Sequence, residues 1–233
     1  MNYSSHRHMA EEVTGFFTYV APRYEQQTRL LTWGSDQRWR RFLAACMYLP
    51  AGGKVLDIGS GTGQMARMAA DLPSHPYTIG LDNNPAMLRV AASRSQGRPN
   101  LEFRQGSADS LPFPDGSFDA VTMGFALRIM PGRILALQQC LRVLKSKGRI
   151  YLLETSYLHG WRRWLLEFVQ PRLPGILKRL NPRLAAYCYL LDSMLDFPPT
   201  ETVHQLLTKA GFVAPRSYKL TPGWAEAHIA EKK

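Results

Sequence analysis

Cysteine is scarce in this chain: Cys46, Cys140 and Cys188 are the three among 233 residues. They are scattered, odd in number and without metal-ligand spacing. That argues against a disulfide scaffold or a cysteine-held metal and for reduced thiols in or near a core. Long hydrophobic runs are missing too, since no stretch reaches the roughly 18 apolar residues that a membrane span needs. The opening MNYSSHRHMAEEV is polar and mixed in charge, unlike a secretory signal, so the expected location is the cytoplasm. Acidic residues are outnumbered, 18 against 29 lysines and arginines, for a formal net charge of +11. Such an excess attracts nucleic acid, an anionic bilayer or a phosphorylated ligand, and solvated arginine faces produce it with no partner at all. Charge alone therefore decides nothing. Internal repeats and low-complexity tracts are absent.

What is present is enough apolar sequence, 45% hydrophobic residues, for one α/β domain with a sizeable core. Residues 1–49 read as helical, broken at Pro22 and around TWGSDQ, with Leu30, Leu31, Trp33, Trp39, Phe42 and Leu43 as an apolar seam of a lid packed on a core. From Lys54 the pattern becomes short β-branched runs alternating with helical segments. The spacing predicts strands at KVLDIG, YTIGLD, LEFRQG, FDAVTMG and GRIYLLE, and helices over 62–71, 84–95 and 131–145, the last opened by Pro131. Residues 157–200 interrupt this rhythm with a helical, basic and aromatic cap. A helix over 201–210 and strands near 212–220 and 225–230 follow. The expectation is a Rossmann-like α/β fold with a seven-stranded, mostly parallel sheet: lid 1–49, cofactor core 50–156, cap 157–200 and C-terminal elements 201–233.

The sharpest local signal is VLDIGSGTGQM, Val55 to Met65. A dinucleotide fingerprint is G-x-G-x-x-G, whose last glycine lets helix and strand pack closely. Here Gly59, Gly61 and Gly63 give G-x-G-x-G, and Gln64 stands where the third spaced glycine belongs. Asp57 just before the loop would repel a pyrophosphate but suits a cationic ligand such as S-adenosylmethionine, which carries a sulfonium and an ammonium. A tight strand-to-helix turn with no ligand is the plain alternative. Asp82 ends the second strand, where a carboxylate can accept both ribose hydroxyls of an adenosine cofactor. Ser107, Ala108 and Asp109 follow the third strand at a ligand-facing strand end, with Asp109 equally readable as a turn cap. Ser60 in the loop, Asn83 and Met87 beyond Asp82, and Gly124 closing the fourth strand complete the expected cofactor contacts.

Together these residues resemble class I methyltransferases and, within them, the UbiE/COQ5 family of quinone-biosynthesis C-methyltransferases. The likeness runs nearly end to end: FTYVAPRYE, LTWGSDQRWRRF, LPFPDGSFD, FALR, LRVLKSKGRIYLLE, YCYLLDSMLDFP and LTPGWAEAH are each similar to a family segment. The glycine loop is common to many methyltransferases, whereas the spread of Y-x-Y-L, F-x-L-R and L-T-x-G along one chain is far more specific. The resemblance implies S-adenosylmethionine as methyl donor, S-adenosylhomocysteine as product and a prenylated quinol as acceptor. Departures fall in segments where substrate is expected: Thr155, Tyr157 and Leu158 in LETSYL, Ile129 where the family has asparagine, Asp36 and Gln37 in place of His-Arg, and Phe168 in place of a histidine. Glu25 replaces an aspartate.

Methyl transfer to carbon requires donor and acceptor at attack distance, exclusion of water and loss of a phenolic proton. Arg128 after the fourth strand, Tyr24 in the lid and Tyr187 with Tyr189 in the cap are the candidates for catalysis. A guanidinium is a poor base, so Arg128 suits stabilising a phenolate or orienting water, or a plain salt bridge to the cap. His204 and His228 read as structural, although His228 matches the family's final histidine. In the cap, Trp161, Trp164, Leu165 and Phe168 recur at i, i+3, i+4, i+7 beside arginines, which suits either docking of residues 160–183 on an anionic bilayer or packing on the domain. Two rivals stand beside the quinol reading. One is a methyltransferase or relative acting on another hydrophobic molecule of polyketide or terpenoid type. The other is a nucleic-acid enzyme or binding protein, against which the chain lacks an N/D-P-P-[YF] tetrapeptide and a stacking-aromatic RNA module. No metal is expected, and a homodimer is left open.

Overall fold

A run of apolar residues that continues on both sides of a strand's pleat marks a strand covered on both faces. KVLDI (β1, Lys54–Ile58) and the inner part of LKSKGRIYLLET (β5, Leu144–Thr155) have this pattern. The computed structural model describes residues 14–171 and 192–233. It pairs β1, β2 (Tyr77–Asp82), β3 (Leu101–Gln105), β4 (Phe118–Gly124), β5, β6 (Val213–Leu220) and β7 (Ala225–Glu231) into one sheet of order β3-β2-β1-β4-β5-β7-β6. The first five strands run parallel, and β7 is antiparallel to both β5 and β6.

Alternation along each strand sends side chains to two separate cores. Leu56, Val121, Met123, Ile150 and Leu152 join one core, together with Leu137 and Val143 of α6 (Arg133–Val143) and Val203 and Leu207 of α8 (Thr200–Ala210). Val55, Ala120, Tyr151 and Leu153 join the other, against Trp39 and Leu43 of α3 (Ser35–Ala45) and Met65 and Ala69 of α4 (Gln64–Ala70). Burying each such aliphatic side chain contributes about 1.5–3 kcal/mol, so the two cores hold the sheet rigid under the loops above it. Two helices show their punctuation clearly. α5 (Pro85–Arg94) has Pro85 in its first turn and an Asn84 cap that accepts from the N–H groups of Ala86 and Met87 at 2.9 and 3.2 Å. α8 ends at Gly211 with φ +107°, where a Cβ would meet Leu141 at 2.6 Å.

The N-terminal segment consists of a helix over 14–20 (α1), α2 (Tyr24–Leu31) and α3. Phe16, Val20 and Ala21 pack on Ala86 and Met87 of α5. Asn84 Nδ2 donates to the carbonyl of Thr14 and the hydroxyl of Thr18, each at 3.0 Å. The expected lid seam splits in two. Trp39 and Leu43 are buried, but Leu30, Leu31 and Trp33 are 77%, 72% and 92% exposed. The turn at Trp33, φ 51°, ends α2 and rotates its apolar residues away from the surface that α3 covers. Three further boundaries differ from the periodicity. Pro131 precedes α6 rather than opening it, α6 stops at Val143, and β5 begins at Leu144, paired with Phe118. The glycine-bearing SKGR lies within β5 with Lys147 at φ 61°, so a local turn signal was absorbed into a strand. In the cap, α7 (Trp161–Val169) is described; Tyr187, Cys188, Tyr189 and the rest of 172–191 lie outside the described residues.

Candidate active site

The strand order reverses between β1 and β4, and in open parallel sheets ligands bind outside the carboxyl ends of the strands at that point. A cavity of about 1340 Å³ lies there. Asp57, Gly59, Ser60, Gly61, Asp82, Asn83, Met87, Ser107, Ala108, Asp109, Gly124, Arg128 and Tyr24 all line it. Of the expected site residues, Gly63 does not line the cavity and Tyr187 lies outside the described residues. His204 and His228 are also away from it. Both meet the Ser217 hydroxyl, at 2.6 and 2.7 Å, in the packing of α8 on β6 and β7.

At the β1–β2 end the glycine turn and Asp82 are one unit. Asp82 Oδ2 accepts from the Gly61 N–H and Oδ1 from the Asn84 N–H, both at 2.8 Å, which fixes the carboxylate at the strand end. Burial raises its pKa, and these backbone donors oppose the shift. The three glycines do different jobs. A Cβ on Gly59 would lie 2.6 Å from that of Ala126, and one on Gly63 would lie 2.7 Å from the Phe103 ring. Gly61, φ 54°, faces open space. Close packing thus requires Gly59 and Gly63, while Gly61 offers bare backbone to the cavity.

Asp57 is fully buried and points to the α3–α4 face of the sheet, opposite Thr122 of β4. Its Oδ1 accepts from the Thr122 hydroxyl at 2.7 Å, whereas Oδ2 is buried without a hydrogen-bond partner. Desolvation pushes the carboxyl up to about 7, against Thr122 and the charge of Arg40. An ionisable oxygen held dry and unpaired at a cavity wall is what a cationic ligand group would complete. The bare backbone at Gly61, the backbone-pinned Asp82 and this oxygen together fit S-adenosylmethionine. No group of three or more His, Cys, Asp or Glu side chains able to hold a metal ion occurs among the described residues.

The β4–β5 end is built differently. Arg128 lies in a short 3₁₀ turn, Leu127–Ile129, and reaches Glu154 at the end of β5. Its backbone N–H donates to Glu154 Oε1 at 3.2 Å, its Nη1 to Oε2 at 3.3 Å and its Nε to the Ser193 hydroxyl at 3.2 Å. Glu154 is wholly buried, and that burial raises its pKa despite Arg128. Phe125, with φ 60°, has the guanidinium carbons of both Arg40 and Arg128 at 5.3 Å from its ring centroid. Ile129, Met130, Ile134 and Leu135 give this end an apolar wall, and Arg163 and Glu167 of α7 and Gln170 just after it also line it. Arg40, Phe125 and Ser193 are cavity residues not named as site candidates from the sequence, although Phe125 opens FALR and Ser193 lies in YCYLLDSMLDFP. Arg40 sits one position from the noted Trp39, so helical periodicity was the available signal. Among the departures from the family pattern, Ile129 lines the cavity, but Thr155, Tyr157, Leu158, Asp36, Gln37 and Phe168 do not. Thr155 and Leu158 are buried outside its lining, Asp36 is a buried partner of Thr32 in the α2–α3 turn, and Phe168 of α7 is 47% exposed. These positions therefore do not cluster at the cavity, and Ile129 alone among them reaches its lining.

A sheet of this order, with the reversed β7 between β5 and β6, defines a class I methyltransferase fold. An S-adenosylmethionine-dependent methyltransferase from Thermotoga maritima superposes with a TM-score of 0.66 at 20% identity, covering 95% of this chain and all of that one. Sequence relatives are much nearer. The chain is 36% identical to the ubiquinone/menaquinone biosynthesis C-methyltransferase UbiE of Geobacter sp. strain M21, across 95% of this chain and 97% of that protein. It is 34% identical to the demethylmenaquinone methyltransferase of Paenarthrobacter aurescens, across all of this chain and 90% of that one. The model of the ubiE/COQ5 methyltransferase family matches residues 5–232, and the chain belongs to that family. It is an S-adenosylmethionine-dependent methyltransferase.

Proposed function

We propose that this enzyme C-methylates a prenylated quinol of the demethylmenaquinol or ubiquinol-precursor type. The observation that carries the reading is one cavity that has Asp57 and Asp82 at one end and, at the other, Arg128 beside the aliphatic side chains of Ile129, Met130 and Ile134. S-adenosylmethionine supplies an electrophilic methyl group on a cationic sulfur. In this reading Asp82 accepts from the ribose hydroxyls, Ser107, Ala108 and Asp109 meet the adenine, and Asp57 meets positive charge at the methionine end. Ser60, Asn83, Met87 and Gly124 line the remainder of this end. Arg128, tied to Glu154 and Ser193, holds its guanidinium still, so that it can stabilise a ring hydroxyl as its proton leaves and the ring carbon becomes nucleophilic. Tyr24 closes the lid side, and Tyr187 remains a proposed contributor from the cap. Ile129, Met130 and Ile134 shield the ring from water in this reading.

The test is incubation with isotopically labelled S-adenosylmethionine and a panel of demethylated quinols, read by mass spectrometry. One labelled methyl on the ring is the expected product. Methylation of a polyketide or terpenoid panel with none of the quinols modified would favour the other reading, for which Ile129 at the family's asparagine position is the supporting observation.

A polyprenyl tail also needs a lipid source. Trp164, Leu165 and Phe168 are 63%, 43% and 47% exposed, with the Trp164 and Phe168 rings stacked at 5.6 Å. Arg163 is already engaged by Glu167 at 2.8 Å. This outward apolar face supports peripheral docking of α7 on an anionic bilayer. Equal recovery of the protein on anionic vesicles, neutral vesicles and no vesicles in flotation would remove that component. No helix among the described residues is long and apolar enough to cross a membrane.

A further inference from the structure

The turn between α2 and α3 holds a bulky residue in a backbone conformation that favours glycine. The Gly34 N–H donates to the Arg29 carbonyl at 2.7 Å and the Trp33 N–H to the Leu30 carbonyl at 3.2 Å, which closes the end of α2 in the Schellman pattern. Glycine is the usual residue at the position that Trp33 takes, with φ 51°. A tryptophan there is strained, and burial in a core could offset that strain. Trp33 is instead 92% exposed, more than any other large apolar side chain among the described residues. Leu30 and Leu31 before it are also turned to solvent. Strain and exposure at one tryptophan, with no packing to offset either, point to a contact outside the chain.

The charge along this stretch identifies the contact. Between Tyr24 and Cys46 the acids are Glu25 and Asp36. Glu25 pairs with Arg67 and Arg94 at 2.8 and 3.0 Å, and Asp36 is fully buried against Thr32. Arg29, Arg38 and Arg41 are exposed, and none of them forms an ion pair among the described residues. The stretch therefore offers solvent two leucines, a tryptophan and three arginines, with no free acid. That combination suits an anionic bilayer, where an indole sits at the boundary of the acyl region and guanidinium groups meet phosphate. The turn is also on the cavity side of the sheet. Tyr24 and Arg40, which flank it in the chain, both line the cavity. Trp39 Nε1 donates to the Thr221 hydroxyl at 2.9 Å. Thr221 follows Leu220, whose partner Ala225 pairs with Thr155 at the carboxyl end of β5. We infer that the α2–α3 turn is a membrane anchor. Leu30, Leu31 and Trp33 enter the surface of an anionic bilayer, Arg29, Arg38 and Arg41 meet its phosphates, and the cavity side of the sheet is brought to the lipid. This contact is separate from α7. It extends the proposed use of a lipid-borne acceptor, but binding at the turn requires no acceptor to be present.

Co-sedimentation with vesicles that contain no quinol tests the anchor apart from the choice of acceptor. Vesicles of mixed phosphatidylglycerol and phosphatidylcholine should bind the unsubstituted protein at least about tenfold more tightly than phosphatidylcholine alone, and added salt should weaken that binding. Trp33→Gly removes the ring and relieves the backbone. It should lower binding to the anionic vesicles about tenfold while the melting temperature stays the same or rises. Arg29→Gln combined with Arg41→Gln should lower binding by roughly twenty-five-fold, about fivefold for each charge. The loss on Trp33→Gly should persist in a Trp164→Ala background, which separates this turn from α7. Binding unchanged by Trp33→Gly and by the paired arginine substitutions would overturn the inference. So would a fall in melting temperature on Trp33→Gly, which would make the ring a packing residue. A Trp33-dependent dimer that binds no vesicles would also overturn it, giving the surface to a second copy of the chain.

Discussion

The two ends of the cavity hold charge by opposite means. At the β1–β2 end, Asp82 is fixed by backbone N–H groups from Gly61 and Asn84, within 21 and 2 residues of it in the chain. At the β4–β5 end, Arg128 is fixed by the side chains of Glu154 and Ser193, 26 and 65 residues away. Backbone donors at a strand end come with the fold and remain whatever the side chains do. A side-chain triad that crosses elements exists only if every member is present, and losing one leaves a buried charge uncompensated. The first arrangement suits a cofactor shared by many enzymes of this fold. The second suits a task particular to one acceptor, because each contributing side chain can change independently.

If that contrast is right, Arg128→Ala should give the largest effect. Turnover should fall by roughly a hundredfold or more, the usual consequence of removing a charge-stabilising donor. S-adenosylhomocysteine affinity should stay within about threefold. The same change strands Glu154, so thermal stability should drop by about 3–5 kcal/mol, and adding Glu154→Gln should recover much of it. Full activity of the single variant would break the acceptor-end assignment.

Asp82→Ala should do the reverse. Calorimetry should show S-adenosylhomocysteine binding weaker by about tenfold to a hundredfold, since two charge-assisted hydrogen bonds to the ribose are lost. Unchanged affinity would remove Asp82 from the ribose. The difference between these two variants, turnover in one and affinity in the other, is the direct measure of how separate the ends are.

A smaller effect should appear with pH. With its carboxyl pushed up to about 7, Asp57 in the ligand-free protein carries a proton below that pH and is ionised above it. The folded value is raised above the ordinary 3.8, so between the two the native state binds more protons than the unfolded chain, and ionisation costs stability as pH rises. An ammonium favours the ionised form, so S-adenosylhomocysteine affinity should fall as pH drops from about 8 to 6. Asp57→Asn should flatten that profile and, at pH 8, raise the midpoint of the ligand-free protein by at least about 2 °C. A pH-independent affinity in the unsubstituted protein would detach Asp57 from the cofactor's positive end. The smallest expected change in cofactor binding, within about twofold, belongs to Ile129→Asn, whose effect should show instead in relative turnover across a panel of quinol acceptors.

How much of this was readable in the chain depended on distance along it. VLDIGSGTGQM and YTIGLD announce a strand, a glycine turn and an acid at a strand end because those signals depend on neighbouring residues and backbone geometry. Gln64 in place of a third spaced glycine and Asp57 just before the loop together point away from a pyrophosphate and toward a sulfonium cofactor. The lid seam was misjudged for the complementary reason. Leu30, Leu31 and Trp33 share the apolar character of Trp39 and Leu43, and only the turn at Trp33 sends them to solvent. The departures in LETSYL were expected at the acceptor from their neighbourhood, yet Thr155 and Leu158 are buried and do not line the cavity.

By itself, then, the sequence determined the order of elements, the parallel core, the cofactor loop and the family, all of which are written in local patterns and in spacings along the chain. The tertiary structure decided which charges face each other. Asp57 and Arg40 line the same cavity without a hydrogen bond between them, and Arg128 bonds Glu154, because the pleat of β1 and the packing of α3 put the first pair on one face of the sheet, while the turn after β4 and the end of β5 bring the second together. No spacing along the chain encodes those arrangements; they arise when the sheet and the helices that cover it assemble.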